Sequence, residues 1–375
     1  MIEKLIINTS DLSNLVERLL QAETVAIDTE SNSFFGYPEK VCLIQLATDS
    51  GAWLIDPLLI EDMNPLGELL ESEKVQKIIH AAENDLRVID RDLQFNVRNI
   101  FDTSIASKFC GYEKSGLEVV LERTIGVSIE KNKKLQRANW SLRPLSPEAL
   151  NYAIADVAHL IRLRDGLMNQ LEELGRMDWV KEEFTRIESV RYLAPASPET
   201  AFLSMKGSYA LKPKQLSVLK AIYTFRDLEA RKRDTPPFKV ISNEVLIYLS
   251  KNPHAPFDKV PGLSRKLPQK FVKGLKGRIE DGLKGDGIAR PVKEKVPNKA
   301  RNVEYSRRLK DLKSWREGIG KQLNLDPPLI WPTNSLSELA HSTHSIDQAI
   351  SESDDIRAWQ KGQFGDSIRN ILGNL

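Results

Sequence analysis

The chain has 375 residues, 41% hydrophobic and 28% charged, with a formal net charge of +2 at pH 7. That length and apolar content suit two or three globular domains, and the near-neutral balance excludes attraction to a polyanion through the overall field, leaving local basic patches as the route. The only two cysteines, Cys42 and Cys110, each lie in an apolar stretch. They fit buried thiols in a reducing compartment better than a disulfide framework, and neither spacing suggests zinc. The first twenty residues, MIEKLIINTSDLSNLVERLL, alternate charged with apolar residues and so lack the core of a signal peptide; no later run is apolar enough to span a bilayer. A cytoplasmic enzyme or binding protein with no membrane partner is the expectation.

In chain order, short β-like runs come first: LIIN at 5–8, VAID at 25–28, VCLIQLA at 41–47, AWLID at 52–56 and QKIIHAA at 76–82. Interleaved with helical patterns, they predict a mixed α/β layer fold, and the short connections among the 25–56 strands imply antiparallel pairing. Helices are predicted near 83–92, 102–110, 116–126 and 146–174, the last with Ser146 as N-cap and Pro147 in the first turn. The stretch APASPETA at 194–201 marks a boundary, beyond which the chain reads as helical. That part contains an internal repeat. Phe225-Arg226, Pro237 and Leu246 recur as Trp315-Arg316, Pro327 and Leu336, all with one register shift of ninety residues, and RPVKEKVPNKA at 290–300 separates the copies as a solvated linker.

Several polar residues interrupt these patterns. Asp28 and Glu30 end an otherwise apolar strand, and residues two apart in a strand project from one face, so both carboxylates reach one point. Hard cations want that arrangement, although an acidic pair alone usually marks a solvated strand end. Asp85 falls in the first turn of the helix after QKIIHAA, where the dipole also favours an acid. Tyr152 and Asp156, four apart, share one largely apolar face of the 146–174 helix. Taken singly, each has an ordinary structural explanation.

Together, Asp28-x-Glu30, Asp85 and Tyr152-x-x-x-Asp156 resemble the motifs of the DEDD exonuclease superfamily in its tyrosine-bearing branch. AIDTE, CLIQLAT, WLIDPL, KIIHAAENDL, IFDTSIASKF, NWSLRPLS and YAIADVAHL resemble ribonuclease D over most of residues 20–175, and the two C-terminal copies resemble the helicase and ribonuclease D C-terminal (HRDC) domain. The resemblance implies an α/β, ribonuclease H-like mixed-sheet exonuclease domain at 1–195 and two small all-α bundles, an HRDC domain at 208–290 and a divergent second one at 301–375. It implies a metal-dependent 3′–5′ exoribonuclease in which Asp28, Glu30, Asp85 and Asp156 hold two Mg²⁺ ions, replaceable by Mn²⁺, while Tyr152 orients the attacking water. Two ions about 4 Å apart serve the nucleophile, the phosphorus centre and the leaving 3′-oxygen. The implied substrate is RNA with a free 3′ end, such as transfer RNA precursors, with no obligate protein partner. An exonuclease acting mainly on DNA and an idle nucleic-acid scaffold are the alternatives, and the intact set of acids argues against the scaffold.

Outside that set, KKLQRANWSLRPLS mixes Lys134, Arg137 and Arg143 with Trp140, which suits phosphate contact and base stacking, or equally a tryptophan covering the core. His80 is either a hydrogen-bond partner for a metal ligand or a core histidine. SRKLPQKFVKGLKGR carries Arg265, Lys266, Lys270, Lys273, Lys276 and Arg278 with no acid, a face suited to tracking phosphates. After Asp-Thr-Glu, where ribonuclease D sequences often continue with an aromatic and basic residues, this chain has Ser31, Asn32 and Ser33, then Phe34, Phe35 and Tyr37. These loop residues are expected to line the substrate pocket.

Overall fold

A computed structural model describes residues 2–130, 132–263, 267–290, 303–341 and 346–373. Strands β1 (Ile2–Ile6), β2 (Thr24–Ser31), β3 (Val41–Thr48), β4 (Gly51–Ile55), β5 (Gln76–Ile79) and β6 (Ile100–Asp102) form one sheet in the order β1-β4-β3-β2-β5-β6. The centre is antiparallel, β2 with β3 and β3 with β4, as the short connections implied; the pairs β1–β4, β2–β5 and β5–β6 are parallel. Every residue of β3 from Val41 to Ala47 is buried, which is why that strand reads as a continuous apolar run.

Alternation along β2 assigns the layers. Val25 and Ile27 join Ile44, Leu46 and Ile55 beneath helices Thr9–Leu19, Asn64–Glu71 and Glu83–Leu93. Ala26 joins Ala47, Ile78 and Phe101 beneath helices Thr103–Phe109, Leu160–Glu173 and Met177–Ile187. Asp28 and Glu30 continue the face of Ala26. Beside them, Cys42, Leu43 and Leu54 pack under the helix Pro147–Val157.

Three local expectations change. The first strand ends at Ile6, because Asn8 caps the next helix by accepting from the Asp11 amide at 2.9 Å. Ile100–Asp102, assigned from sequence partly to a helix, is a third parallel strand too short to show a period. The 146–174 helix is two helices, Pro147–Val157 and Leu160–Glu173. No glycine or proline marks the break; Val157, Leu160 and Ile161 are all buried, so packing redirects the chain there.

The remainder is helical. Helices Pro213–Lys232, Asn243–Lys251 and Gln269–Lys284 surround a core that includes Leu219, Ile222, Leu246 and Leu275. Helices Val303–Leu323, Thr333–His341 and Ala358–Gly373 surround Leu312, Leu336 and Ile368. The ninety-residue repeat extends to hydrogen bonds. Arg226 donates to the Ile241 carbonyl at 3.1 Å and Asn243 Oδ1 at 2.7 Å; Arg316 donates to the Trp331 carbonyl and Thr333 Oγ1, both at 3.0 Å. Arg290 bonds the Leu203 carbonyl and Ser208, whereas the rest of the 290–300 linker, residues 301–302, Arg265 and Lys266 lie outside the described residues.

Both helical units lean on the α/β domain. On the first, Tyr37 donates its hydroxyl to Asp227 and its amide to Asp234 (2.8 Å), Arg231 lies 5.0 Å over the Tyr37 ring and Lys239 4.0 Å over Phe35. On the second, Trp359 stacks on Trp179 at 4.5 Å, Arg357 pairs with Glu183, and Arg176 donates to the Phe109 and Leu323 carbonyls.

Candidate active site

The site lies where β2 leaves the sheet core. Asp28 and Glu30 project from its helix-covered face, and Pro147–Val157 crosses that face with Asp156 in its last turn. One carboxylate oxygen from each of Asp28, Glu30 and Asp156 lies within 4.8 Å of the others. Asp85 enters from the first turn of Glu83–Leu93, where its carboxylate accepts from Thr29 Oγ1 at 2.5 Å. The turn before it is tied down from below: Asp102, 1% exposed, accepts from the amides of Ala81 (3.1 Å) and Ala82 (2.8 Å) and also caps Thr103–Phe109. That holds Ala81 at a φ of 59°, a left-handed conformation that an alanine adopts only under such constraint.

All four acids, Tyr152 and His80 line one cavity of about 600 Å³. Burial, then the charges of Asp85, Asp156 and Glu30, push the Asp28 carboxyl well above the carboxylate range. Burial with Asp156 and Asp85 carries Glu30 up to about 9, and burial carries Asp156 up to about 7. Asp85 rises through burial to about 6, opposed by the Thr29 hydrogen bond. Burial, followed by the charges of Asp156, Glu30 and Asp28, raises the Tyr152 phenol above its ordinary value. Like charges held this closely without water around them are unfavourable until a cation joins them. The donors are hard oxygens throughout, the set that Mg²⁺ and Mn²⁺ prefer.

The basic and aromatic residues fare differently from one another. Trp140 is 1% exposed and packs its ring 6.2 Å from Tyr152, so it covers the core and offers no face to a base. Arg143 is also removed from phosphate duty, since it pairs with the fully buried Asp56 and donates to the Cys42 and Trp140 carbonyls. Lys134 and Arg137 are exposed, as are Lys270, Lys273 and Lys276 on the outer side of Gln269–Lys284. His80 bonds Thr103 through Nδ1 at 2.9 Å, with burial lowering its pKa. The loop after Asp-Thr-Glu does not line the cavity: Phe34, Phe35 and Tyr37 face the first helical unit instead. Sequence reasoning missed Thr29, Asp102, Asn84 and Lys108. All four sit inside the AIDTE, KIIHAAENDL and IFDTSIASKF motifs, but their surroundings are set only by the fold.

A mixed sheet that brings four acids and a tyrosine to one cavity, followed by helical units, defines a 3′–5′ exonuclease. The family model described as 3′-5′ exonuclease matches residues 4–172, and that described as HRDC domain matches 215–267. Ribonuclease D of Zymomonas mobilis is 35% identical over 270 residues, 70% of this chain and 68% of the relative. That of Nitrobacter hamburgensis is 29% identical over 97% of this chain and 93% of its own length. The crystal structure of Escherichia coli RNase D superposes with a TM-score of 0.73 at 24% identity, covering 100% of this chain and 99% of that one. The chain belongs to the ribonuclease D family of 3′–5′ exoribonucleases.

Proposed function

We propose that this protein removes nucleotides singly from the 3′ end of RNA as 5′-monophosphates, using two Mg²⁺ or Mn²⁺ ions held by Asp28, Glu30, Asp85 and Asp156. The observation that carries this reading is the cluster of Asp28, Glu30 and Asp156 with ligand oxygens within 4.8 Å, and Asp85 on the same cavity. Bound there, the ions would supply an ionised water nucleophile and neutralise charge on the phosphorus centre and the leaving 3′-oxygen. The chain's own groups do the rest. Tyr152 keeps its proton and, braced by Asp156 and the Trp140 ring, orients the attacking water in line with the scissile bond. Thr29 fixes Asp85, and Asp102 fixes the turn that carries it. The chemistry belongs to residues 1–195, while the units at 208–290 and 301–375 position structured RNA such as transfer RNA precursors in the cytoplasm.

The deciding experiment is digestion of matched end-labelled RNA and DNA strands with Mg²⁺ or Mn²⁺. Stepwise loss of 5′-monophosphates from the 3′ end of RNA is expected. Interior cleavage, or none with either ion, overturns the reading; faster attack on DNA moves the substrate to the other sugar.

A further inference from the structure

Among the described residues, the cavity lining carries six carboxylates, Asp28, Glu30, Asp85, Glu118, Glu130 and Asp156, and one cation, Lys108. Lys108 stands in the last turn of Thr103–Phe109, exposed, and no hydrogen bond or ion pair among the described residues holds its ammonium. It also lines two adjoining hollows. One, of about 370 Å³, shares Ala81, Asn84, Ser104 and Lys108 with the active-site cavity; the other, of about 500 Å³, opens between the α/β domain and the second helical unit. Any strand leaving the acids by either hollow passes this ammonium.

Phosphate chemistry fixes what it meets. In a strand degraded from its 3′ end, the terminal nucleotide carries no phosphate beyond the scissile one, so every further phosphate lies on the 5′ side. A phosphate entering this lining away from the ions faces carboxylates on most sides, and among the described residues of the lining Lys108 offers the opposite charge. We propose that Lys108 is a positioning residue that binds the first phosphate upstream of the scissile one, setting the register of the penultimate nucleotide. The inference rests on the exonuclease reading above. Its support is rigid: Asp102 ties the helix of Lys108 to the turn preceding Asp85.

The test compares two dinucleotides, one bearing a 5′-phosphate and one ending in a 5′-hydroxyl, which has only the scissile phosphate. A charge-assisted interaction of this kind is worth on the order of ten- to a hundredfold. Lys108→Met should lower kcat/KM for the phosphorylated dinucleotide by about that factor, mainly through KM, and leave the hydroxyl form within about twofold; Lys108→Arg should restore most of the loss. Equal loss on both substrates would make Lys108 a structural or scissile-phosphate residue, and no loss on either would leave it solvent-facing. Both results overturn the inference while leaving the exonuclease intact. Failure of the wild-type protein to cleave either substrate with Mg²⁺ or Mn²⁺ would overturn the enzymatic reading, and this inference with it.

Discussion

At the residue scale, the four acids store repulsion that a cation relieves. Glu30 titrates at about 9 and Asp156 at about 7 in the metal-free fold, above the ordinary carboxylate range. Between that range and about 9, the folded protein holds protons that the unfolded chain has released, so this contribution to stability falls as pH rises through the folded values. The gain in Tm on adding saturating Mg²⁺ should therefore be larger at pH 9 than at pH 6; equal gains at both would show that these acids are not the ligands. Asp28→Asn should raise the Tm of the metal-free protein while abolishing turnover, with RNA binding partly retained. Tyr152→Phe should slow turnover on the order of 10²-fold, in keeping with loss of a positioned proton donor or acceptor. Arg143 has another fate: removing it strands the fully buried Asp56, which costs about 3–5 kcal/mol. Arg143→Ala should lower the urea midpoint strongly, and a stability near wild type would return that arginine to the residues expected to touch RNA.

At the element scale, the loop at 32–40 joins chemistry to the first helical unit. It leaves β2 two residues after Glu30, and Tyr37 ends between Asp227 and Arg231 on Pro213–Lys232. Tyr37→Phe removes the hydroxyl bond and leaves the ring under Arg231, so protection of the 32–40 amides from hydrogen exchange should fall while the core of β3 is unaffected. Unchanged protection would show that the ring contacts alone hold the loop. The sequence made this loop look like a substrate wall because its aromatics follow the acids directly. Their partners lie about two hundred residues away, and no local pattern announces them.

At the scale of the whole molecule, the second helical unit is clasped to the α/β domain through the Trp179–Trp359 stack and the Arg357–Glu183 pair, and the first through Tyr37. The outer side of Gln269–Lys284 remains open, with Lys270, Lys273 and Lys276 exposed. If these lysines track phosphates, replacing all three by glutamine should flatten the slope of log affinity against log salt by roughly 0.7 for each single-strand phosphate no longer neutralised. Turnover of a short strand at saturating concentration should stay unchanged. Titration of wild type and variant with one folded RNA at several salt concentrations decides it; identical slopes would assign that face to solubility.

What the sequence determined by itself was whatever is written in local periodicity and in motif spacing. The antiparallel centre followed from short connections, Asp28 and Glu30 share a face because strands alternate, and the helical copies share a ninety-residue register down to Arg226 and Arg316. Tertiary structure decided whatever depends on a partner distant in the chain. It buried Trp140, paired Arg143 with the buried Asp56, split the helix after Val157 where packing turns, hung Asp85 from Thr29, and left Lys108 as the cation that faces six carboxylates among the described residues of the cavity. The physical reason is that a side chain's type and spacing fix which face it occupies, whereas its burial and charge environment are properties of the surfaces that later fold against that face.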